Sequence, residues 1–360
     1  MMRILSFALQ FIVIGLAVAF VLMWLQPARQ QAPASPVTSY SDAVNRTAPS
    51  VVSIYTRTMV TEPLGSEFSD PLFSHLYRNR TVTRPRRGLG SGVIISDTGL
   101  VLTTRHVISG VDDILVALWD GRIAEAGIIG SDPSTDLALL QVDMDDLPVA
   151  TLADDDNLRT GDVVLAIGNA FGLSHTVTMG IVSATGRAPL NLASFENLIQ
   201  TDAAINAGNS GGALINPAGE VVGINSASLG QETGAQGISF AIPVSVVREI
   251  TEQIIEYGRV KRGWIGAELA DVSLQVASEK NLQPGARIIR IHRNGPAWNA
   301  GLQPGDILIS ASGENFASAR KLMKHIADSE PGSHLELEVV RGNQLFTTSA
   351  ELIQQPPPQE

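Results

Sequence analysis

The residues best suited to chemistry lie in the run Thr201-Asp202-Ala203-Ala204-Ile205-Asn206-Ala207-Gly208-Asn209-Ser210-Gly211-Gly212. A serine set between glycines fits a tight turn that exposes its hydroxyl and aims nearby backbone N–H groups at one point, where they can stabilise a tetrahedral oxyanion. A serine hydroxyl is a weak nucleophile until a base takes its proton, so a histidine and an orienting carboxylate are needed elsewhere. Thr103-Thr104-Arg105-His106-Val107 places a histidine at the close of the β-run Leu100–Thr104, and Thr135-Asp136-Leu137-Ala138-Leu139-Leu140 places an aspartate at the start of an apolar strand. The chain order is therefore His106, Asp136, Ser210. Residues 208–212 also fit the GxSxG turn of α/β hydrolases. That fold, however, needs a helix after the serine and the order serine, acid, histidine, whereas Ala213–Val222 reads strand, turn, strand. Gly88-Leu89-Gly90-Ser91-Gly92 brushes against a dinucleotide fingerprint, but β-structure follows where a helix would be required.

Elements that could position these groups are mostly short strands. Between about 41 and 242 runs such as Val51–Tyr55, Gly92–Ile95 and Val163–Ile167 alternate with turn signals at Asp97-Thr98-Gly99, Asp120-Gly121 and Pro217-Ala218-Gly219. Many short strands at close spacing argue for a sandwich or barrel. The acidic stretch Leu152–Thr160 falls midway, where it could join two barrels. After Pro243, the apolar positions Val247, Ile250, Ile254 and Tyr257 keep helical spacing, and Gly258 stands at the expected cap. A smaller module spans 262–353. It contains a helix over Ala317–Ser329, with Leu322, Met323 and Ile326 on its apolar face, and a half-buried strand with Leu335, Leu337 and Val339 alternating with glutamates. The tail 354–360 is expected to be disordered.

Composition narrows the function class. The 360 residues carry 25 Lys+Arg against 36 Asp+Glu, a net charge of −11, which disfavours nucleic acid as a partner because phosphate contacts need a basic surface. With no cysteine, disulfides, thiolate metal sites and cysteine nucleophiles are excluded. The six histidines show no ligand spacing, so neither a metal nor another cofactor is expected. A hydrophobic content of 44% suffices for real cores. Ile4–Leu25 runs 22 residues without a charge, roughly 33 Å as a helix, about one hydrocarbon core. Arg3 before it, Trp24 at its far end and the Pro/Ala/Gln-rich linker 28–40 after it read as an uncleaved anchor within residues 1–27 carrying an extracytoplasmic body.

The motifs TTRHV, TDLALL and GNSGG resemble the three catalytic motifs of chymotrypsin-fold serine proteases, and in detail those of the HtrA (DegP/DegQ/DegS) family. The resemblance covers about residues 41–353. It implies a mostly β chain: one transmembrane helix, a chymotrypsin-like double β-barrel protease domain over 41–258 and a C-terminal PDZ domain over 262–353. It further implies His106 as base and then acid, Asp136 as its orienter, Ser210 as nucleophile, and the N–H groups of Gly208 and Ser210 as oxyanion hole. Ala204, six before the serine, with Ile205 beside it implies an uncharged S1 pocket for small aliphatic side chains. In the PDZ-like module, Arg262-Gly263-Trp264-Ile265-Gly266-Ala267 resembles the loop that receives a peptide's terminal carboxylate, with Met323 on the helix expected to line the same groove. Pro296–Asp306 carries the family's other hallmark. Arg187, in Ser183–Arg187, matches an activation-loop arginine. A single PDZ domain behind an anchor looks most like the DegS type. That likeness implies a homotrimer, single-pass in the inner membrane with protease and PDZ domains in the periplasm. It also implies an activator, C-termini of misfolded outer-membrane proteins, and a substrate, a membrane-bound anti-sigma factor whose first cut starts the envelope stress response. The alternative is a general quality-control protease resembling DegQ. The loop 58–88, with Arg78, Arg80, Arg84, Arg86 and Arg87, is longer than expected for the DegS type and reads as a solvated loop.

Overall fold

The computed structural model describes residues 14–18, 20, 39–63, 81–154, 157–169, 176–187, 198–228, 237–272, 285–316 and 318–356. The chain divides into a short unit, residues 1–42, and a compact unit, residues 43–360. In the first, residues 14–18 and 20 are helical. Most of the apolar run 4–25 lies outside the described residues, and among those described no helix is long and apolar enough to cross a membrane.

Helix α1 (Ser41–Thr47) begins in the first unit and continues into the second, where a 3-10 turn, Ala48–Ser50, follows it. Among the described residues, twelve strands follow up to Pro243. Six close a first barrel: β1 (Val51–Pro63), β2 (Thr81–Ile94), β3 (Leu100–Thr104), β4 (Asp113–Ala117), β5 (Ile123–Asp132) and β6 (Leu137–Val142), hydrogen-bonded in the order β1-β2-β3-β6-β5-β4. Six more close a second: β7 (Val163–Gly168), β8 (Thr176–Arg187), β9 (Leu198–Thr201), β10 (Ala213–Ile215), β11 (Val221–Ser228) and β12 (Ser239–Pro243), in the order β10-β11-β12-β9-β8-β7. Closure removes sheet edges and gives each barrel its own side-chain core. Val52, Ile54, Ile94, Val101 and Leu140 fill the first and Val164, Ile199, Leu214, Val222 and Ala241 the second. Strand β6 is apolar without alternation because both its faces are covered: Leu140 points into the barrel, while Leu137 and Leu139 are equally buried yet outside that core cluster.

The acidic connection between the barrels does run between β6 and β7, and Leu152 forms an isolated bridge to Val221. Helix α3 (Val244–Tyr257), reached after the four-residue helix α2 (Arg105–Ile108), starts directly after Pro243 and ends where Gly258 takes φ 68°. It packs on β5, β6, β11 and β12 and so spans both barrels. The β1–β2 hairpin corrects the sequence expectation of a long solvated loop. Pairing continues from Val51↔Val93 out to Pro63↔Thr81, so residues 58–63 and 81–88 form a ribbon, and only 64–80, with Arg78 and Arg80, lie outside the described residues. The β-branched runs Thr58-Met59-Val60-Thr61 and Thr81-Val82-Thr83 supply its strand propensity.

The C-terminal module joins β14 (Ala267–Asp271), β15 (Ala286–Ile291), β16 (Ile307–Ala311), β18 (His334–Arg341) and β19 (Gln344–Glu351) in sheet order β14-β15-β16-β18-β19, with β17 (Glu314–Asn315) on β16. The short α4 (Pro296–Asn299) and α5 (Ala319–Asp328) cover it, and Ile265, Ile288, Leu308, Leu322, Ile326 and Leu337 form its core. Ser318 caps α5, its side chain accepting the Lys321 N–H. Order extends into the segment read as a tail: β20 (Ile353–Gln354) pairs with β13 (Gly263–Trp264), and the Gln355 N–H donates to the Arg262 carbonyl. Residues 357–360 lie outside the described residues.

Candidate active site

His106 stands in the first turn of α2, directly after β3, and Asp136 closes the turn between β5 and β6 with φ 61°. Three contacts bring them together. Backbone holds backbone, as the Arg105 N–H donates to the Asp136 carbonyl at 2.8 Å. Asp136 Oδ1 accepts the His106 backbone N–H at 3.0 Å, and Oδ2 lies 2.6 Å from His106 Nδ1. An ionised carboxylate only accepts, so Nδ1 carries a proton, and in the neutral imidazole Nε2 then presents the lone pair that a general base requires. The His106 side chain is half exposed while that of Asp136 is largely covered. A water-shielded carboxylate fixing an accessible imidazole is the arrangement that orients a base without neutralising it.

The serine turn is built by main-chain bonds. Asn209 N–H donates to Asn206 O, Gly212 N–H to Asn209 O and Gly211 N–H to Asn225 O, and Asn225 N–H returns a bond to Gly212 O. Gly208 (φ 98°) and Gly211 (φ 84°) adopt the left-handed region open to glycine. At Gly211 any Cβ would also lie 2.1 Å from the Ser91 carbonyl. The N–H groups of Gly208 and Ser210 have no acceptor among the described residues, which leaves two donors beside the hydroxyl. Ser210 Oγ donates to the Ser226 carbonyl at 2.8 Å, and Ser226 Oγ in turn donates to Asp136 Oδ2 at 3.2 Å. Since a hydroxyl has one proton, Ser210 does not donate to His106 in this state. Ser226 thereby touches two of the three groups, a role that a lone serine in a strand pattern does not announce.

Asp132 is a second residue that sequence reasoning missed. Its carboxylate accepts from Ser134 N–H (3.3 Å), Thr135 N–H (3.1 Å) and Thr135 Oγ1 (2.7 Å), shaping the turn that ends at Asp136. It also pairs with Arg262 at 2.6 Å, both side chains 5% exposed or less. Arg262 is the residue before β13, so the turn carrying Asp136 is tied to the root of the C-terminal module.

Ala204 is exposed and its carbonyl accepts from Thr178 Oγ1, whereas Ile205 is 2% exposed within the second barrel's core. Arg187 ends β8 opposite Leu198 in the ladder. Its side chain and residues 188–197 lie outside the described residues.

In the C-terminal module, the Trp264 and His292 rings meet in a tilted contact with centroids 5.1 Å apart. Gly266 takes φ 75°, and a Cβ there would press on the Trp264 ring at 3.2 Å. The carbonyls of Ile265 and Gly266 are used, accepting from Ala297 and His292. Their own N–H groups find no acceptor among the described residues. Two unused donors on a left-handed turn make an anion-receiving nest. Beyond them β14 is an edge strand of its sheet, with α5 beside it and Met323 37% exposed on that helix. An edge with a helix alongside accepts an extended peptide as an added strand.

Residues 90–224 match the trypsin-like peptidase domain family and residues 263–352 the PDZ domain family. The chain is 39% identical over 353 residues to a probable DegP-like periplasmic serine endoprotease of Hahella chejuensis, covering 94% of this chain and 75% of that protein. The solved structure of the HtrA-type protease AlgW with decapeptide matches at TM-score 0.76 and 44% identity, covering 89% of this chain and all of that one. The chain belongs to the HtrA family of serine endoproteases. Within that family it is also 41% identical to the periplasmic pH-dependent endoprotease DegQ of Escherichia coli over 87% of this chain and 70% of that protein. The serine endoprotease from Yersinia pestis superposes at TM-score 0.70 with 37% identity, over 89% of this chain and 99% of that chain. A trypsin-like domain and one PDZ domain account for the two barrels and the C-terminal sheet.

Proposed function

We propose that this HtrA protease is a peptide-switched endopeptidase of the DegS type, anchored in the inner membrane by residues 4–25 with its body in the periplasm. Ser210 attacks the scissile carbonyl, and His106 takes its proton and returns it to the leaving amine. Asp136 holds the imidazole tautomer, and the N–H groups of Gly208 and Ser210 receive the oxyanion. Ala204 leaves the S1 site uncharged, with Ile205 buried behind it in the barrel core. The loop Trp264–Ala267, with Met323, binds the C-terminus of a misfolded outer-membrane protein, and Arg187 carries that occupancy to the oxyanion loop. The active form, a homotrimer, makes the first cut in a transmembrane anti-sigma factor.

One observation carries the switch. The His106–Asp136 pair is already aligned at 2.6 Å, yet the Ser210 hydroxyl is donated to Ser226 at 2.8 Å. A complete dyad whose nucleophile hydroxyl is donated elsewhere supports the reading of a resting state. The unused Ile265 and Gly266 donors support binding of an activating carboxylate at this loop. The solved relative AlgW was captured with peptides.

A second reading, a quality-control protease, draws on the DegP-like and DegQ relatives and on the extended β1–β2 ribbon. Fluorophosphonate labelling of the full chain in detergent, followed by intact mass, separates the two. The switch predicts labelling at Ser210 that accelerates when a peptide with a hydrophobic C-terminal residue and free carboxylate is added. Fast labelling regardless of peptide, with rapid casein digestion, establishes quality control instead. Labelling that survives Ser210→Ala refutes the nucleophile assignment.

A further inference from the structure

Three bonds converge on a residue outside the triad. Ser91, fully buried in β2 of the first barrel, donates its backbone N–H to the Ser210 carbonyl at 2.8 Å. Its Oγ donates to the Gly208 carbonyl at 2.6 Å and accepts the Asn169 backbone N–H, at the end of β7, at 2.8 Å. One side chain and its own amide thus hold both ends of the Gly208-Asn209-Ser210 turn from the opposite barrel. The Ser91 carbonyl is fixed as well, accepting from Thr103 Oγ1 at 2.8 Å.

Packing around this clamp is tight. A Cβ at Gly168 would lie 2.8 Å from Asn209 Cα and 3.0 Å from Ser91 Oγ. The Asn209 side-chain amide is buried without a hydrogen-bond partner among the described residues, so it contributes nothing to holding the turn. The hydroxyl of Ser91 therefore holds the carbonyl end of the peptide leaving Gly208, while its other end, the Asn209 N–H, donates to Asn206 O. The N–H groups on either side of that peptide unit, those of Gly208 and Ser210, must point together for a developing oxyanion to be bound.

We infer that Ser91 is a positioning residue for the oxyanion hole, acting through the bond its Oγ donates to the Gly208 carbonyl rather than by touching substrate. This rests on the reading of Ser210 as nucleophile, and it places a determinant of catalytic rate on the first barrel, in a segment whose glycines alone would suggest only a turn. Removing the hydroxyl leaves a buried carbonyl and a buried N–H unpaired, which frees the turn to rotate.

The test compares Ser91→Ala with Ser50→Ala in the full chain in detergent with activating peptide. Ser50 is 1% exposed, and its Oγ donates to the Thr47 carbonyl at 2.7 Å, away from the site, so it controls for losing a buried hydroxyl. For Ser91→Ala, kcat is expected to fall about 10–30-fold with KM changed less than about twofold, the loss of one to two hydrogen bonds felt only in the transition state. Affinity for a peptide boronate, which forms a tetrahedral adduct on the serine, should fall in parallel with kcat/KM. Ser50→Ala should lower thermal stability comparably and leave kcat alone. Equal kcat effects in the two variants, or a Ser91→Ala enzyme with undiminished boronate affinity, overturns the inference while leaving Ser210 intact. A parent enzyme that neither cleaves nor labels removes the reading beneath it.

Discussion

The buried Arg262–Asp132 pair offers a sharp energetic test, because it links the turn that carries Asp136 to the base of the PDZ domain. Replacing Arg262 with Met keeps most of the volume and deletes the charge. Asp132 then stays buried with three donors, from Ser134 N–H, Thr135 N–H and Thr135 Oγ1. Breaking one side of a buried pair costs about 3–5 kcal/mol, and the three surviving donors argue for the lower end, about 3 kcal/mol. At about 1.4 kcal/mol per factor of ten, the local opening of the turn becomes about 100-fold more frequent. Native-state hydrogen exchange of the Ser134 and Thr135 amides reads this directly and avoids assuming two-state unfolding in a multidomain chain. The double variant Arg262→Met with Asp132→Asn should recover part of the protection, since the neutral amide keeps an oxygen acceptor for these N–H groups and removes the unpaired buried charge. Because Asp136 follows in the same turn, Arg262→Met should also lower kcat. An exchange rate raised less than about threefold, with no recovery in the double variant, would refute the claim that this pair holds the catalytic turn.

Other outcomes follow from the same contacts. Asp136→Asn must offer either a carbonyl or an NH₂ to His106 Nδ1, and the NH₂ orientation forces the wrong tautomer. Steady-state assays should show kcat down about 10⁴-fold with the fold retained by circular dichroism. Ser226→Ala removes one donor to Asp136 while leaving the carbonyl that accepts from Ser210, so a fall in kcat of about tenfold or less is expected. Gly266→Ala strains a residue at φ 75° and crowds Trp264. Fluorescence anisotropy with a C-terminal peptide should show at least tenfold weaker binding, while peptide-independent labelling of Ser210 is unchanged. Asp120 is held below the ordinary carboxylate range chiefly by the Arg122 backbone N–H, with the guanidinium adding to it. Its contribution to stability is present above the unfolded-state value and lost as pH falls through the lower folded one. Arg122→Ala should move its NMR titration only part of the way back, because the backbone bond remains.

Local pattern was enough to read the catalytic order, the β-rich character and the two strong helices. Ser210 sits between glycines that a tight turn demands, Val247, Ile250 and Ile254 keep the helical period, and Gly258 terminates it in the left-handed region. These signals reside within a few residues of one another, where backbone sterics and amphipathic spacing act directly. The β1–β2 hairpin was misjudged because its strand propensity is interrupted by arginines, and cross-strand pairing of Arg57 with Arg87 or Thr58 with Arg86 leaves no periodic trace in either strand. The apolar segment 4–25 is a statement of composition and length, and it remains one.

Tertiary structure alone decided which lone polar residues serve the site. Ser91 meets Gly208 across 117 positions, Arg262 meets Asp132 across 130 and Ser226 meets Asp136 across 90. Nothing local distinguishes these from solvated serines or an ordinary arginine, because their partners are supplied only when two barrels close and pack. Closure also decided the direction of the Ser210 hydroxyl and the two unused N–H donors beside it. The residues proposed as the triad are legible because the chemistry proposed for them restricts their type and setting. The residues that hold them in place are not, because burial and geometry, rather than sequence spacing, give a hydroxyl or a carboxylate its one partner.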